Sequence, residues 1–416
     1  MFSSEAWLAN SGSDFYNGVA LTSLRLDPHG DYLTKTFGTP TSRKIMSFGG
    51  WIKRFTLGKY SNLFSGTLGG SGVEQAYIYF DTDDKLKVAS YTGSSYTFNY
   101  NTTRLFRDSS AWYHLWVEID STQGNNATAD RVKIYVNGVR ETSFSTASLI
   151  ADGTPDISAF NKANVVHYFG HNTGTYGGGV HYSDWYFIDG TAVSPIDTVG
   201  EFKNGVFIPK AYSPTFGNNG FHLEFKESGI GTGASDTCGA DTSLNNNHFT
   251  STGVDLDDTA SPNSPENNFP SMNPLDVGGN INYSHGNNFV FPSSGSMEGT
   301  RATHAIPQSG KFYWEVRLQA VGYICQLGIA TAEKNLANTG DGQPDHVAWG
   351  FGTWFNGNNS SLSKYQVNVG GSSGTNWVTV PNSGDIVGIA YDADGGNLWF
   401  SKNGTWQNTS GTANPS

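Results

Sequence analysis

Residues 111–144 read AWYHLWVEIDSTQGNNATADRVKIYVNGVRETSF. From Trp112 to Ile119 the chain alternates, with Tyr113, Leu115, Val117 and Ile119 on one side and Trp112, His114, Trp116 and Glu118 on the other. That period predicts a β-strand with one buried face. A polar, glycine-bearing loop follows, after which Val132, Ile134 and Val136 alternate with Arg131, Lys133 and Tyr135 as far as Asn137-Gly138. Asn-Gly suits a type I′ turn, because both central residues need positive φ and these two tolerate it best. The stretch therefore predicts an antiparallel hairpin.

Outward from it, the same period recurs in short runs. AYIYF at Ala76–Phe80, KLKVAS at Lys85–Ser90 and YTFNY at Tyr96–Tyr100 are separated by Asp, Gly and Ser turns and predict a meander. LRLDPHGDYLTKTF from Leu24 predicts an opening strand pair around the turn Asp27-Pro28-His29-Gly30. No long segment has a 3.6-residue apolar period, so helix is expected only as single turns, such as 109–112 or near 333–337. The fold class is all-β.

Composition agrees with short strands and tight turns: of 416 residues 14% are charged, 14% aromatic, and 52 glycines stand against 15 prolines. A net charge of −12 without a basic run argues against nucleic-acid binding through phosphate contacts. The N-terminus has no charged-then-apolar export pattern and no stretch approaches the length of a membrane span, so membrane insertion is not expected. Cys238 and Cys325 are read as two free thiols, without zinc-type spacing.

At this length two domains are expected. The reading divides the chain into an N-terminal arm (1–21), a sandwich (22–200), an irregular Asn/Pro/Ser-rich connector (201–280) and a second sandwich (281–416). In the last of these, KFYWEVRL at Lys311–Leu318 puts Phe312, Trp314, Val316 and Leu318 on one face.

The WYH strand with its KIYVNG hairpin, SFGGWIKR at Ser47–Arg54, NLFSG at Asn62–Gly66, VVHYFG at Val165–Gly170 and YSDWYFIDGTAVSP at Tyr182–Pro195 together resemble the laminin-G-like and concanavalin-A-like lectin/glucanase superfamily, over roughly 22–200. The resemblance implies a jelly-roll sandwich. GKFYWEV, QLGIA at Gln326–Ala330 and GDIVGIAYDADGGNLWFSKNGTW at Gly384–Trp406 resemble a SPRY domain, a bent β-sandwich that binds protein partners through its loops. The chain ends about where that family still needs its last strands, so it reads as a piece of a longer protein. The order of segments, with FIPKAY…GNNGFHLEF, DTSLNNNHFT and SPNSPENNFPSMNPLD between the two sandwiches, resembles large structural proteins of marine tailed bacteriophages. That resemblance implies a virion location in a tail fibre or surface appendage. The implied partners are other virion proteins and a host-surface glycan or protein, in a homo-oligomer, a trimer by analogy. Phe2, Trp7, Leu8, Phe15 and Tyr16 would anchor the arm.

Hydrolases of the lectin/glucanase superfamily place their carboxylates on one strand as ExDxE or ExDxxE. WVEID at Trp116–Asp120 lacks the third carboxylate, so Glu118 is read as a solvated strand residue and the protein as no enzyme. The alternatives are a secreted glycan hydrolase, disfavoured for that reason, and a virion adaptor without a receptor ligand. His167, His171 and His181 match no compact metal motif and are read as unliganded. Calcium, where bound, is expected at a sandwich rim, with Asp81, Asp83 and Asp84, or Asp392 and Asp394, as the clusters; both read chiefly as turn formers. For sugar stacking the candidates, if exposed, are Tyr176, Tyr182, Trp185, Trp354 and Phe355, with use as ordinary core aromatics the alternative.

Overall fold

The hairpin forms as its period requires: Leu115, Trp116, Val117, Glu118 and Ile119 face Val136, Tyr135, Ile134, Lys133 and Val132 in antiparallel register. Asn137 (φ 49°) and Gly138 (φ 74°) make the turn, and the Asn137 side chain accepts a hydrogen bond from the His114 N–H at 2.8 Å. These observations come from a computed structural model that describes residues 15–28, 30–69, 73–124, 130–150, 156–157, 159–172, 177–292, 299–319, 325–333, 336, 346–351 and 381–407. Among them there is no α-helix, and Leu256–Asp258 forms a short 3-10 turn. Two units are distinguished, residues 1–271 with 284–288 and residues 272–283 with 289–416.

The first unit contains β1 (Leu24–Leu26), β2 (Tyr32–Thr36), β3 (Ile45–Arg54), β4 (Ser61–Thr67), β5 (Glu74–Phe80), β6 (Lys85–Thr92), β7 (Tyr96–Leu105), β8 (Trp112–Asp120), β9 (Val132–Val136), β10 (Val139–Arg140), β11 (Phe144–Ser148), β12 (Val166–Phe169), β13 (Val180–Asp189), β14 (Gly200–Lys203), β15 (Val206–Pro209), β16 (Phe221–Leu223) and β17 (Thr250–Thr252). One sheet has the order β1-β13-β3-β8-β9-β10, with β16 also paired to β13; the other runs β11-β7-β6-β5-β4-β12-β2-β17. Their inner faces share one core, in which Phe48, Phe64, Phe169, Phe187, Phe221 and Phe249 are fully buried. The rings meet edge-to-face or offset, as between Phe221 and Phe249 at 4.9 Å. Glycines make the close approach possible. A Cβ at Gly50 would lie 2.7 Å from the Asp184 carbonyl oxygen, where β13 bulges between Ser183 and Tyr186.

The expectation of a single buried face on 112–119 is corrected: Trp112, His114, Trp116 and Glu118 are buried as well. The chain after β13 folds back over this sheet. Val193, Val199, Tyr212 and Phe216 pack with Trp116, and Phe207 packs with Trp51 and Trp112. Trp116 Nε1 donates to the Val193 carbonyl at 2.8 Å. Glu118 is accordingly not solvated; it is 7% exposed and accepts hydrogen bonds from Lys133 Nζ at 2.8 Å and Tyr135 Oη at 3.1 Å.

Within 201–271 short strands join both sheets, β16 beside β13 and β17 beside β2. Asparagines satisfy backbone groups where regular pairing is missing. Asn219 both accepts from Gly38 N–H and donates to its carbonyl, and Asn245 donates to the carbonyls of Gly217 and Gly220. Lys53, buried on β3, donates to Asn268 Oδ1 and the Phe269 carbonyl, each at 2.7 Å.

In the second unit Lys311–Arg317, Ile386–Asp392, Asn397–Lys402 and Thr405–Gln407 form a four-stranded antiparallel sheet, with Trp314 opposite Ile389 and Val316 opposite Val387. Leu318, Val387, Ile389 and Phe400 form its buried cluster. Asp392 Oδ1 accepts from the N–H groups of Asp394 and Gly395, closing the turn between two of these strands.

Candidate functional site

While the seven-stranded sheet is covered on both sides, the eight-stranded sheet presents tyrosines on the face turned from the core. On β5, Ala76, Ile78 and Phe80 enter the core, so Tyr77 and Tyr79 project the other way. One register row runs Thr250, Thr34, Tyr168, Ser65, Tyr77, Ala89, Asn99 and Ser148 across all eight strands. The neighbouring rows on this face carry Tyr79, Lys87 and Asn101 on one side and Gln75, Tyr91 and Tyr96 on the other.

These rings form a continuous group. Centroids are 5.1 Å apart for Tyr77 and Tyr79, 5.7 Å for Tyr60 and Tyr79, and 5.2 Å for Tyr91 and Tyr96. The phenols of Tyr77 and Tyr96 are hydrogen-bonded at 3.2 Å, and burial pushes the Tyr77 phenol above its ordinary range, so it stays neutral. Tyr60 and Tyr96 are 39% and 42% exposed, enough for a flat ligand to lie on them. Lys87 Nζ sits 5.9, 5.9 and 5.3 Å from the ring centroids of Tyr77, Tyr79 and Tyr96. Beside it, the buried Oδ1 atoms of Asn99 and Asn101 have no donor among the described residues. Nearer β2, His171 stacks loosely with Tyr32 (4.8 Å) and Tyr168 (5.3 Å), next to a cavity of about 400 Å³ lined in part by Thr34, Thr36, Thr232, His248 and Thr250. Rings for stacking, unmet acceptors and hydroxyls suit a polyhydroxylated ligand.

A second cluster is acidic. The carboxylate oxygens of Asp27, Asp31 and Asp258 lie within 4.8 Å of one another, as do those of Asp255, Asp257 and Asp258. Burial, and then the neighbouring carboxylates, push Asp31 up to about 6. Arg25 already occupies the cluster, ion-paired with Asp258 and lying 3.5 Å from Asp27 and 3.6 Å from Asp257. A divalent ion here would have to compete with that guanidinium.

The residues singled out from sequence fall elsewhere. Tyr182 and Trp185 are 0% exposed, which removes them as sugar-stacking candidates and makes them core aromatics. Strand β13 lies between β3 and the pair β1 and β16, with the core on one side and 193–216 on the other, and Tyr182 Oη donates to the carbonyls of Asn62 and Leu63. Tyr176, Trp354 and Phe355 lie outside the described residues. Asp81 Oδ1 accepts the N–H groups of Asp83 and Lys85, while Asp84 pairs with Arg54 at 3.1 Å and Arg107 at 3.0 Å. His167, stacked on Phe37 at 3.7 Å, and His181 are buried in different sheets, burial lowering each to about 3; His171 belongs to the tyrosine face. Tyr77, Tyr79, Lys87 and Tyr96 were not singled out, although the alternation in AYIYF carries the signal.

Residues 28–169 match the family described as the concanavalin A-like lectin/glucanases superfamily. The first unit is a concanavalin A-like sandwich. The concanavalin A-like sandwich is followed by a SPRY domain, whose family matches residues 311–414. No curated protein matches the chain. Among solved structures, it is similar to a Bacteroides ovatus protein named for carbohydrate binding, at 14% identity over 56% of this chain and a TM-score of 0.35. The chain spans 59% of that protein's length. It is also similar to a heptameric pentraxin from Limulus polyphemus (16% identity, 46% of this chain and 90% of that one, TM-score 0.30). A third likeness is to domains LG4-5 of the mouse laminin alpha1 chain (10% identity, 94% and 77%, TM-score 0.32). The tyrosine face is the outer side of the eight-stranded sheet of the concanavalin A-like sandwich.

Proposed function

We propose that the protein is a non-enzymatic glycan-binding subunit of a tailed-phage virion, carried in a fibre or appendage and used for attachment to the host surface. The observation that carries the binding role is the group of Tyr60, Tyr77, Tyr79, Tyr91 and Tyr96 on the outer sheet face, of which Tyr60 and Tyr96 are the most exposed. A sugar ring stacks its C–H face on Tyr60 or Tyr96, which are 39% and 42% exposed. Glu118 is held by Lys133 and Tyr135 beneath the segment 193–216, where no glycan reaches, which supports binding without hydrolysis. The virion location and a trimeric state rest on the resemblance of the segment order to phage structural proteins, and the SPRY domain would then take a protein partner within the particle.

The test is adsorption. Purified protein should bind host cells and compete with infection, and Tyr79→Ala with Tyr96→Ala should reduce binding at least tenfold while the far-UV spectrum is unchanged. Unaltered adsorption by the double variant overturns the assignment to this face. Failure of the wild-type protein to adsorb or compete overturns the attachment role.

A further inference from the structure

We propose that the tyrosine face takes an acidic glycan, one bearing carboxylate or sulfate-ester groups, with the anionic group seated against Lys87. This rests on the glycan-binding reading above and names its ligand class. Strand β6 places Lys87 mid-face, between Tyr79 on β5 and Asn101 on β7. Three phenol rings surround its ammonium group, and they leave the charge uncancelled because Tyr77, Tyr79 and Tyr96 contribute ring faces and no carboxylate.

Several other cations of the sandwich are matched by acids. Lys133 pairs with Glu118, Arg104 with Glu141, Arg107 with Asp84, Lys85 with Asp83, and Lys162 with Glu74. Among the described residues Lys87 has no such partner. Asp81, just after β5, is engaged by Asn101 Nδ2 at 3.3 Å and by the backbone of its own turn. In a chain of net charge −12, an unpaired and half-buried ammonium held by neutral rings is a specific attractor for one negative group. A carboxylate or sulfate on a stacked sugar would form an ion pair with the ammonium group, whereas a neutral sugar could offer it only a hydroxyl acceptor.

The experiment uses the full chain and three polysaccharide probes: alginate oligomers for carboxylate, dextran sulfate for sulfate, and unmodified dextran as the neutral counterpart. Affinity electrophoresis or titration calorimetry should give at least tenfold tighter binding to one acidic probe than to dextran, weakening as salt rises. Whichever acidic probe binds identifies the group. Lys87→Met should remove that preference and its salt dependence, and Lys87→Arg should keep both. If wild type binds all three probes within twofold, or Lys87→Met retains the preference, the inference fails. Tyr79→Ala separates the two readings: loss of all binding with Tyr79→Ala but none with Lys87→Met leaves the glycan face standing and removes only its acidic selectivity. Binding of no probe by wild type overturns the inference, and host-cell adsorption then decides the glycan-binding reading by itself.

Discussion

Asp31 shows how a single side chain is held against its own preference. Its carboxyl is buried among Asp27, Asp255 and Asp258 and titrates at about 6, against 3.8 when free. Between those values the folded chain binds more protons than the unfolded one, so this group's contribution falls as pH rises from 4 to 6 and is unfavourable throughout above 6. Asp31→Asn keeps an acceptor for the Asp27 N–H while removing the charge. The variant should melt about 2–4 °C above wild type at pH 7.5, corresponding to roughly 1–2 kcal/mol, and the difference should vanish near pH 4. Calorimetry at the two pH values checks this, and a lower melting point at pH 7.5 refutes it. Lys53 has the opposite sense: burial lowers it to about 8, so its contribution rises between pH 8 and its ordinary 10.5.

At the scale of strands, Gly50 and Phe207 carry the contacts most easily tested. Gly50→Ala forces β3 away from the bulge of β13 and should cost about 1–3 kcal/mol by overpacking. Phe207→Ala removes the ring stacked near Trp51 and His114, and should cost about 3–5 kcal/mol with a red shift in tryptophan emission. An unshifted spectrum would mean that other groups shield Trp51. Such elements also show what could be read from sequence. Leu115, Val117 and Ile119 lie inward and Asn137-Gly138 turns the chain, because period and turn chemistry are local properties. Alternation cannot tell a solvated face from one covered by a later segment, which is why Trp116 and Glu118 were misjudged. Tyr182 and Trp185 failed similarly, since burial of a central strand depends on its neighbours and not on its own residues. Strands of three residues, β16 and β17, have too short a period to stand out among the asparagines around them. The tyrosines of β5 to β7 were legible as a face, but the exposure of Tyr96 beside a buried Tyr77 was not.

For the sandwich as a whole, the segment after β13 is structural. A chain ending at residue 200 would lack β16, β17, Phe207 and Phe216, and should be recovered aggregated or protease-sensitive, whereas residues 15–292 should give a cooperative melt; equal protease resistance of the two would show the segment to be dispensable. Acid should unfold this unit. Burial lowers His114, His167 and His181 to about 3, so between there and 6.5 the unfolded chain takes up more protons and stability falls with falling pH. The slope should be roughly 2–3 kcal/mol per pH unit near pH 5 once the opposing Asp31 is counted, and a melting point flat from pH 7 to 5 would contradict it. The late position of the covering segment also has a consequence during synthesis. At about 5–20 residues per second, roughly 3–13 s separate completion of β13 from that of β17. For the first part of that interval, roughly 1–5 s until Phe216 is made, the aromatic side of β3, β8 and β13 has no lid, and the sheet edges await β16 and β17 after that. A nascent chain in that state is a substrate for holding chaperones, and slowing the ribosome between codons 190 and 252 should raise the aggregated fraction without altering the finished protein.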